Sequence, residues 1–199
     1  KENRGKNFGL LRAMDNLGAV CGIMTCILLF TYLGYRNLLL LASIPSLIGV
    51  LLILIFIKDR QTEKIYRGLS LKDITFNLKL FLFLSALFAV GSFSYSFLLV
   101  YAEEFGFEES FIPVLYLVFT GVASLFSLPF GKLADRLNRK FVLILSYLFW
   151  GLLCLGFVYV ESYVGIVFLF TLYGLHRAAL EPVQRTFVSE LSPTKHRAS

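Results

Sequence analysis

Six uninterrupted apolar stretches, each roughly 20 residues long, set the strongest limit on how this chain can fold. A helix needs roughly 20 apolar residues to cross the hydrocarbon core of a bilayer, whereas strands of a membrane barrel are about 10 residues long and alternate in polarity. Continuous runs of this length therefore predict helices. We expect an all-α, polytopic membrane protein with transmembrane helices at about residues 13–33, 37–57, 79–101, 111–130, 141–160 and 162–182.

The composition agrees with a chain that is solvated partly by lipid. Hydrophobic residues make up 57% of the sequence and charged residues only 16%, whereas about a quarter of a soluble domain is charged. Cys21, Cys26 and Cys154 lie inside apolar runs, at spacings typical of neither a zinc site nor a disulfide framework. We expect no metal and no cofactor. We also expect no signal peptide, because no basic segment precedes a short apolar stretch with a small-residue cleavage site.

The basic residues are concentrated in alternate connections between the predicted helices. By the positive-inside rule, these connections and both termini lie in the cytoplasm, and we expect the protein in the plasma membrane. The net charge of +6 thus reflects membrane topology rather than a nucleic-acid partner, which would need basic residues clustered on one folded face. The basic connections contain Lys1, Arg4, Lys6, Arg12, Lys58, Arg60, Lys64, Arg67, Lys72, Lys79, Lys132, Arg136, Arg139, Lys140, Arg185, Lys195 and Arg197, and the others contain Arg36, Glu103, Glu104, Glu108, Glu109 and Glu161.

The most specific pattern in the sequence lies between the fourth and fifth spans. It reads G-K-L-A-D-R-L-N-R-K from Gly131 to Lys140. It resembles the loop motif G-x-L-A-D-R-x-G-R-K of the major facilitator superfamily, which follows the second helix of each half of those transporters. Asn138 replaces the second glycine of the motif, and Asn is the next residue most tolerant of positive φ. A plain cytoplasmic hairpin with basic residues is the alternative interpretation.

The resemblance implies a role for several residues of this loop. Gly131 would allow two helices to approach closely, and Asp135 would accept hydrogen bonds from the N-terminus of a neighbouring helix. Arg136, Arg139 and Lys140 would hold the loop at the membrane surface.

A second resemblance places the chain within the superfamily fold. Arg4-Gly5-Lys6 is similar to Arg197-Ala198-Ser199, and the superfamily has an Arg-Gly-type turn before both its fifth and eleventh helices. The chain thus resembles helices five to ten of twelve. This implies that residues 1–57 end the N-terminal bundle, 58–78 form the cytoplasmic linker between bundles, and 79–199 begin the C-terminal bundle. The Asp135 loop should then lie near Asn7 and Phe8.

Two groups of ionisable residues lie within the predicted spans, where stranding a charge in lipid costs several kcal/mol. Arg12 and Asp15 are spaced i,i+3 in the first span, and His176, Arg177 and Glu181 lie in the last. Each group could neutralise itself along its own helix. Alternatively, Asp15 and Arg177 pair between the two bundles as a latch for the outward-facing state. Asp15, Glu181 and His176 are also candidates for proton coupling, although an interior histidine is more often structural.

Small polar residues interrupt the third span, where Ser92, Ser94 and Ser96 alternate with aromatic residues that include Tyr95. Discontinuous helices with small polar residues often line transporter cavities. Close helix packing explains the same composition equally well. We therefore keep these four residues as candidates for the lining of a cavity.

The resemblance implies a secondary active transporter that moves a small solute across the bilayer by alternating access. Gly18 and Gly22 faintly resemble an antiporter signature, which suggests proton-coupled export, but Ile23 stands where that signature has proline and helix packing is the alternative. A non-transporting membrane receptor or assembly subunit is the competing function. An intramembrane serine protease is excluded because the serines of the third span lack a Gly-rich context.

Overall fold

The computed structural model describes residues 3–57 and 75–191, and the regular structure in these ranges is helical. The prediction of an all-α fold is confirmed, and the described chain contains six helical segments long and apolar enough to cross a membrane. Most of the predicted linker and the tail after Leu191 lie outside the described residues. The helices are α1 (Arg4–Phe56), α2 (Phe76–Val90), α3 (Tyr95–Glu104), α4 (Ile112–Arg136), α5 (Arg139–Tyr159) and α6 (Tyr163–Leu191).

Helix α1 contains two membrane-length arms, Arg4–Phe30 and Arg36–Phe56, separated by a break in helical geometry. The break lies at Gly34, where φ is 64° and ψ is 174°. Glycine adopts a positive φ without the steric cost that a Cβ atom imposes. The position of this break agrees with the predicted gap between residues 33 and 37.

The third membrane span is discontinuous, because α2 ends at Val90 and α3 begins at Tyr95. Two side chains support the break. The Ser94 hydroxyl accepts a hydrogen bond from the Ser96 N–H at 3.3 Å, which caps α3. The indole N–H of Trp150 on α5 donates to the Gly91 carbonyl at 3.1 Å, and so satisfies a carbonyl that the broken helix leaves without an intrahelical donor.

Helices α4, α5 and α6 form the packed core of the described chain. Gly174 of α6 faces the α4 backbone so closely that a Cβ atom there would lie 2.6 Å from the Phe119 carbonyl oxygen. The core divides into two clusters. The larger is centred on the buried side chains of Leu115, Leu153, Ile166 and Phe170, and the smaller on Ala134, Val142, Leu143, Ala179 and Val183.

The two arms of α1 have different surroundings. The first arm packs along α4 and α6. The second arm leaves an almost continuous apolar surface exposed, including Leu39, Leu54 and Phe56, each more than 70% exposed. A surface of this kind suits lipid or further membrane helices.

Candidate functional site

The N-terminus of α1 meets the C-terminal ends of α4 and α6 at what we call the basic end of the molecule. Glycines bring the α1 and α4 backbones together there. A Cβ atom on Gly5 would lie 2.5 Å from the Gly131 carbonyl oxygen, and one on Gly9 would lie 2.6 Å from the Ser127 carbonyl oxygen. Real Cβ atoms do not approach backbone atoms this closely, so the crossing requires glycine at these positions.

Asp135 caps the N-terminus of α1. Its Oδ1 accepts a hydrogen bond from the Gly5 N–H at 3.0 Å, and its Oδ2 accepts one from the Lys6 N–H at 2.8 Å. The first N–H groups of a helix have no intrahelical acceptor and carry partial positive charge, so a carboxylate is well matched to them. The predicted hydrogen bonding of Asp135 to a helix N-terminus is therefore present, two residues before the expected neighbours Asn7 and Phe8.

Arg139 links the Asp135 loop to the end of α6. Its guanidinium lies 3.3 Å from Asp135 Oδ1 and 2.6 Å from Glu190 Oε2. Arg4 makes a parallel connection from α1, donating to the Ser189 carbonyl at 3.3 Å and to its hydroxyl at 3.0 Å. Ion pairs and side-chain hydrogen bonds thus join four helices at the basic end: α1, α4, α5 and α6.

The remaining motif residues lie at the surface of this end. Arg136 and Lys140 are exposed. Asn138 does not adopt the positive φ expected of a glycine replacement, since its φ is −170° and its ψ is 133°. Its side chain instead accepts a hydrogen bond from the Lys140 N–H at 3.0 Å and caps α5.

A chain of four charged side chains crosses from α1 to α6 deeper in the structure. Arg12 lies 2.8 Å from Asp15 Oδ2 on its own helix and also forms an ion pair with Glu181 Oε2 of α6. The other oxygen of Glu181 pairs with Arg177, one turn earlier on α6. The Glu181 side chain is 13% exposed and bridges two guanidinium groups, so its carboxylate is the centre of the cluster.

Asp15 and Arg177, the predicted latch, do not form an ion pair in the described chain. Arg12 is the residue of α1 that reaches across to α6, and Glu181 is its partner there. Asp15 lies three residues further along α1, has a side chain that is 62% exposed and pairs with Arg12. The alternative interpretation paired each group along its own helix, and both of these pairs, Arg12–Asp15 and Arg177–Glu181, are present. The Arg12–Glu181 contact joins the two pairs.

His176 is part of the interface between α5 and α6. It is 1% exposed, and its Nδ1 lies 2.8 Å from the Ser146 carbonyl oxygen and 3.1 Å from the Ser146 hydroxyl. In the described chain it belongs to none of the ion pairs. Its contacts are those of an interior histidine with hydrogen-bonding partners.

The four cavity candidates lie at the break between α2 and α3. Ser92 is half-buried, whereas Ser94, Tyr95 and Ser96 are exposed. The Tyr95 ring stacks on that of Tyr116 of α4, with centroids 5.3 Å apart and planes 13° from parallel. These residues therefore form an open surface beside α4 within the described chain.

Comparisons with known proteins extend the similarity beyond the loop motif. The sequence profile described as Major Facilitator Superfamily matches residues 80–199. The chain belongs to the major facilitator superfamily. It is 35% identical to the "Uncharacterized MFS-type transporter MJ1317" of Methanocaldococcus jannaschii, over 98% of this chain and 52% of the relative. It is 26% identical to the "Uncharacterized MFS-type transporter YxiO" of Bacillus subtilis, over 65% of this chain and 31% of that relative.

The chain spans about half the length of the first of these curated relatives and about a third of the second. No solved structure matches the chain. Both relatives are described as MFS-type transporters.

Sequence reasoning missed two contacts between helices. Glu190 was not a candidate, although an acidic residue in the last turn of a helix faces the unfavourable end of the helix dipole and thus signals a cationic partner. Ser124 of α4 was also missed. Its hydroxyl donates a hydrogen bond to the Ala13 carbonyl of α1 at 2.9 Å, and no sequence pattern predicts this contact.

Replacing Asp135 with Asn is expected to loosen the basic end. The amide removes the negative charge and one of the two acceptor oxygens that receive the Gly5 and Lys6 N–H groups. Hydrogen bonds to charged groups contribute about 1.5–3 kcal/mol each, so a cysteine placed at Phe8 should react with maleimide at least threefold faster in the full-length protein. Unchanged reactivity would contradict this role. Lys132→Gln, a change at an exposed residue of the same helix, is the control.

Proposed function

We propose that this chain supplies helices five to ten of a twelve-helix secondary transporter, which moves a small solute by alternating access. In this proposal α1 ends the first bundle, the connection after Ile57 links the bundles, and α2 to α6 belong to the second. The observation that carries the proposal is the Arg12–Glu181 ion pair, which joins α1 to α6 and hence one bundle to the other.

The contacts at the basic end support a closed gate between bundles. The α1 side contributes Gly5 and Arg12, and the other side contributes Gly131, Asp135 and Glu181. All are polar or backbone contacts of short range, and such contacts can be exchanged for water when the helices separate. The acidic end, where α3 leads to α4 and α5 leads to α6, is held by Phe107 and Tyr163 within one bundle.

The positive-inside rule orients this arrangement. Arg4, Lys6, Lys132 and Arg136 all lie at the basic end, which is therefore cytoplasmic in the proposal, and the membrane is the plasma membrane. A closed basic end corresponds to the outward-facing state of the transporter.

We assign proton coupling to Glu181. Its carboxylate faces Arg12 from α1 and Arg177 from its own helix, and Asp15 lies on the far side of Arg12. Protonation of Glu181 would weaken both of its ion pairs together and release α1 from α6.

Export is the proposed direction of transport, and it rests on the faint antiporter resemblance of the first arm of α1. Gly18 and Gly22 have nothing within 4 Å of an added Cβ atom in the described chain. They are therefore free of the tight packing within this chain that was the alternative explanation for their spacing.

A double-mutant cycle tests the gate. Arg12→Gln and Glu181→Gln should each raise the maleimide reactivity of a cysteine at Ser124, which is buried between α4 and α1. The double variant should be no more reactive than the stronger single variant, because the two residues act through one contact. Additive effects would contradict the gate. A simple charge swap is unsuitable, since Asp15 flanks Arg12 and Arg177 flanks Glu181.

Proteoliposomes separate a carrier from a receptor or assembly subunit. With a pH gradient imposed and a lumenal pH dye enclosed, we expect a panel of small organic solutes to include at least one that dissipates the gradient in a protein-dependent manner. A receptor would leave the gradient unchanged for every solute.

A further inference from the structure

An aromatic surface lies at the break between α2 and α3, next to the charged cluster. Tyr95 stacks on Tyr116, and both rings contact Phe119, with centroid distances of 5.7 Å and 5.0 Å. Phe119 in turn meets the Tyr173 ring edge-to-face at 5.1 Å. Tyr95 is 37% exposed, whereas Tyr173 is buried, so the rings form a platform with an open side at Tyr95.

This platform lies at a depth where a membrane carrier can hold a solute. Tyr95 begins the ten residues of α3, which ends at Glu104, and this places it about 14 Å from that end. Tyr173 follows Tyr163, the first residue of α6, by about 15 Å of helix. Both distances are close to half the thickness of a hydrocarbon core of about 30 Å.

A partly exposed cation, Arg177, lies beside the platform. Arg177 lies one turn beyond Tyr173 on α6, so the two side chains are neighbours on one face of that helix, and the Arg177 side chain is 39% exposed. Each oxygen of Glu181 is already engaged by a guanidinium, Arg12 at one and Arg177 at the other. Arg177 pairs with Glu181, which it shares with Arg12, whereas Arg12 also pairs with Asp15. Arg177 is therefore the less fully neutralised of the two arginines.

We propose that the transported solute is a small organic monoanion with a planar aromatic body, whose ring stacks on Tyr95 and whose anionic group pairs with Arg177. Stacking on an aromatic side chain and bidentate pairing with a guanidinium are complementary recognition modes for such a molecule. An aromatic cation would also suit exposed rings, but it would be repelled by Arg177. This proposal rests on the transport function proposed above.

The same geometry links solute binding to the gate. An anion on Arg177 competes with Glu181 Oε1 for the guanidinium, which leaves Glu181 held by Arg12 alone. Solute and gate therefore share one arginine. Binding of the aromatic anion to Arg177 therefore changes the stability of the Arg12–Glu181 contact. That contact in turn changes the affinity for the anion, because linked equilibria are reciprocal.

Calorimetric titration of the full-length transporter in nanodiscs tests the solute class with four matched probes: benzoate, benzamide, cyclohexanecarboxylate and phenyltrimethylammonium. We expect benzoate to bind at least tenfold more tightly than benzamide, which lacks the charge, and severalfold more tightly than cyclohexanecarboxylate, which lacks the ring. Arg177→Gln should weaken benzoate binding by about tenfold to a hundredfold. Tyr95→Leu should weaken it severalfold and remove the preference over cyclohexanecarboxylate. Arg185→Gln, at an exposed arginine two turns further along α6, should leave binding unchanged.

Equal binding of benzoate and benzamide, binding of the cation alone, or benzoate affinity unaffected by either substitution would overturn the proposal. Tyr95→Leu keeps the test valid if Arg177→Gln fails to fold, because the exposed ring is outside the ion-pair cluster. Spin labels at Asn3 and Leu137 in the same preparation report separation of the bundles without any ligand. If the distance between the labels differs between the wild type and Glu181→Gln but benzoate does not bind, the solute class alone is overturned. If that distance is the same in both proteins, the transport function is overturned as well.

Discussion

Replacing Glu181 with Gln should abolish transport driven by a pH gradient and leave the basic end open. Glu181 is the shared partner of Arg12 and Arg177, and its side chain is 13% exposed. Removing its charge leaves Arg177 without this carboxylate, whereas Arg12 keeps Asp15. Breaking a fully buried ion pair costs about 3–5 kcal/mol, and the cost is smaller here because the Arg177 side chain is 39% exposed. We therefore expect maleimide labelling of a cysteine at Ser124 to rise more than tenfold, and proton flux in proteoliposomes to fall to the level of empty vesicles.

The matched control for this variant is Glu161→Gln, the same chemical change at an exposed glutamate between α5 and α6. It should leave labelling and flux at wild-type values. If Glu181→Gln transports and labels like Glu161→Gln, the ion pair between α1 and α6 does not hold the gate.

Replacing Gly131 with Ala should separate α1 from α4. The added Cβ atom would overlap the Gly5 carbonyl oxygen and lie 3.1 Å from the Gly9 Cα atom, and both neighbours are backbone. Overpacking of this kind costs about 1–3 kcal/mol. The shift would also move Gly5 and Lys6 away from Asp135, so the loss of two charge-assisted hydrogen bonds adds to the penalty. We expect a lower apparent melting temperature in nanodiscs and faster labelling at Ser124.

Gly121→Ala in the same helix is the control, because nothing lies within 4 Å of an added Cβ atom there. Alanine is a better helix former than glycine by about 1 kcal/mol, so this variant should be unchanged or slightly more stable. The melting temperature is thus expected to fall in Gly131→Ala and to stay the same or rise in Gly121→Ala. Equal melting temperatures would show that the close crossing at Gly131 is not required.

The helices and the loop motif were predictable because each depends on local sequence. A run of about 20 apolar residues has few stable alternatives in a membrane, so the six spans follow from length alone. The break between α2 and α3 follows from the small polar residues around Ser92 and Ser94. The role of Asp135 could be predicted because its residue type suits a helix N-terminus and the family resemblance named the helix.

The partners within the charged cluster were not predictable in the same way. Arg12 and Asp15 are three residues apart on one helix, and the sequence does not specify which of them faces α6. That choice depends on the rotation of α1, which is set by the contacts of Gly5 and Gly9 with α4. The aromatic platform was missed for a similar reason, since Tyr95, Tyr116 and Tyr173 come from three separate helices.

In the proposed gate, α1 and the bundle of α4 to α6 move relative to each other at the basic end. Double electron–electron resonance between spin labels at Asn3 and Leu137 measures this separation in the full-length transporter. We predict a short distance in the wild type that agrees with the closed arrangement, and a second, longer distance that becomes dominant in the Glu181→Gln variant. A single distance that is identical in the wild type and in the variant would contradict the claim.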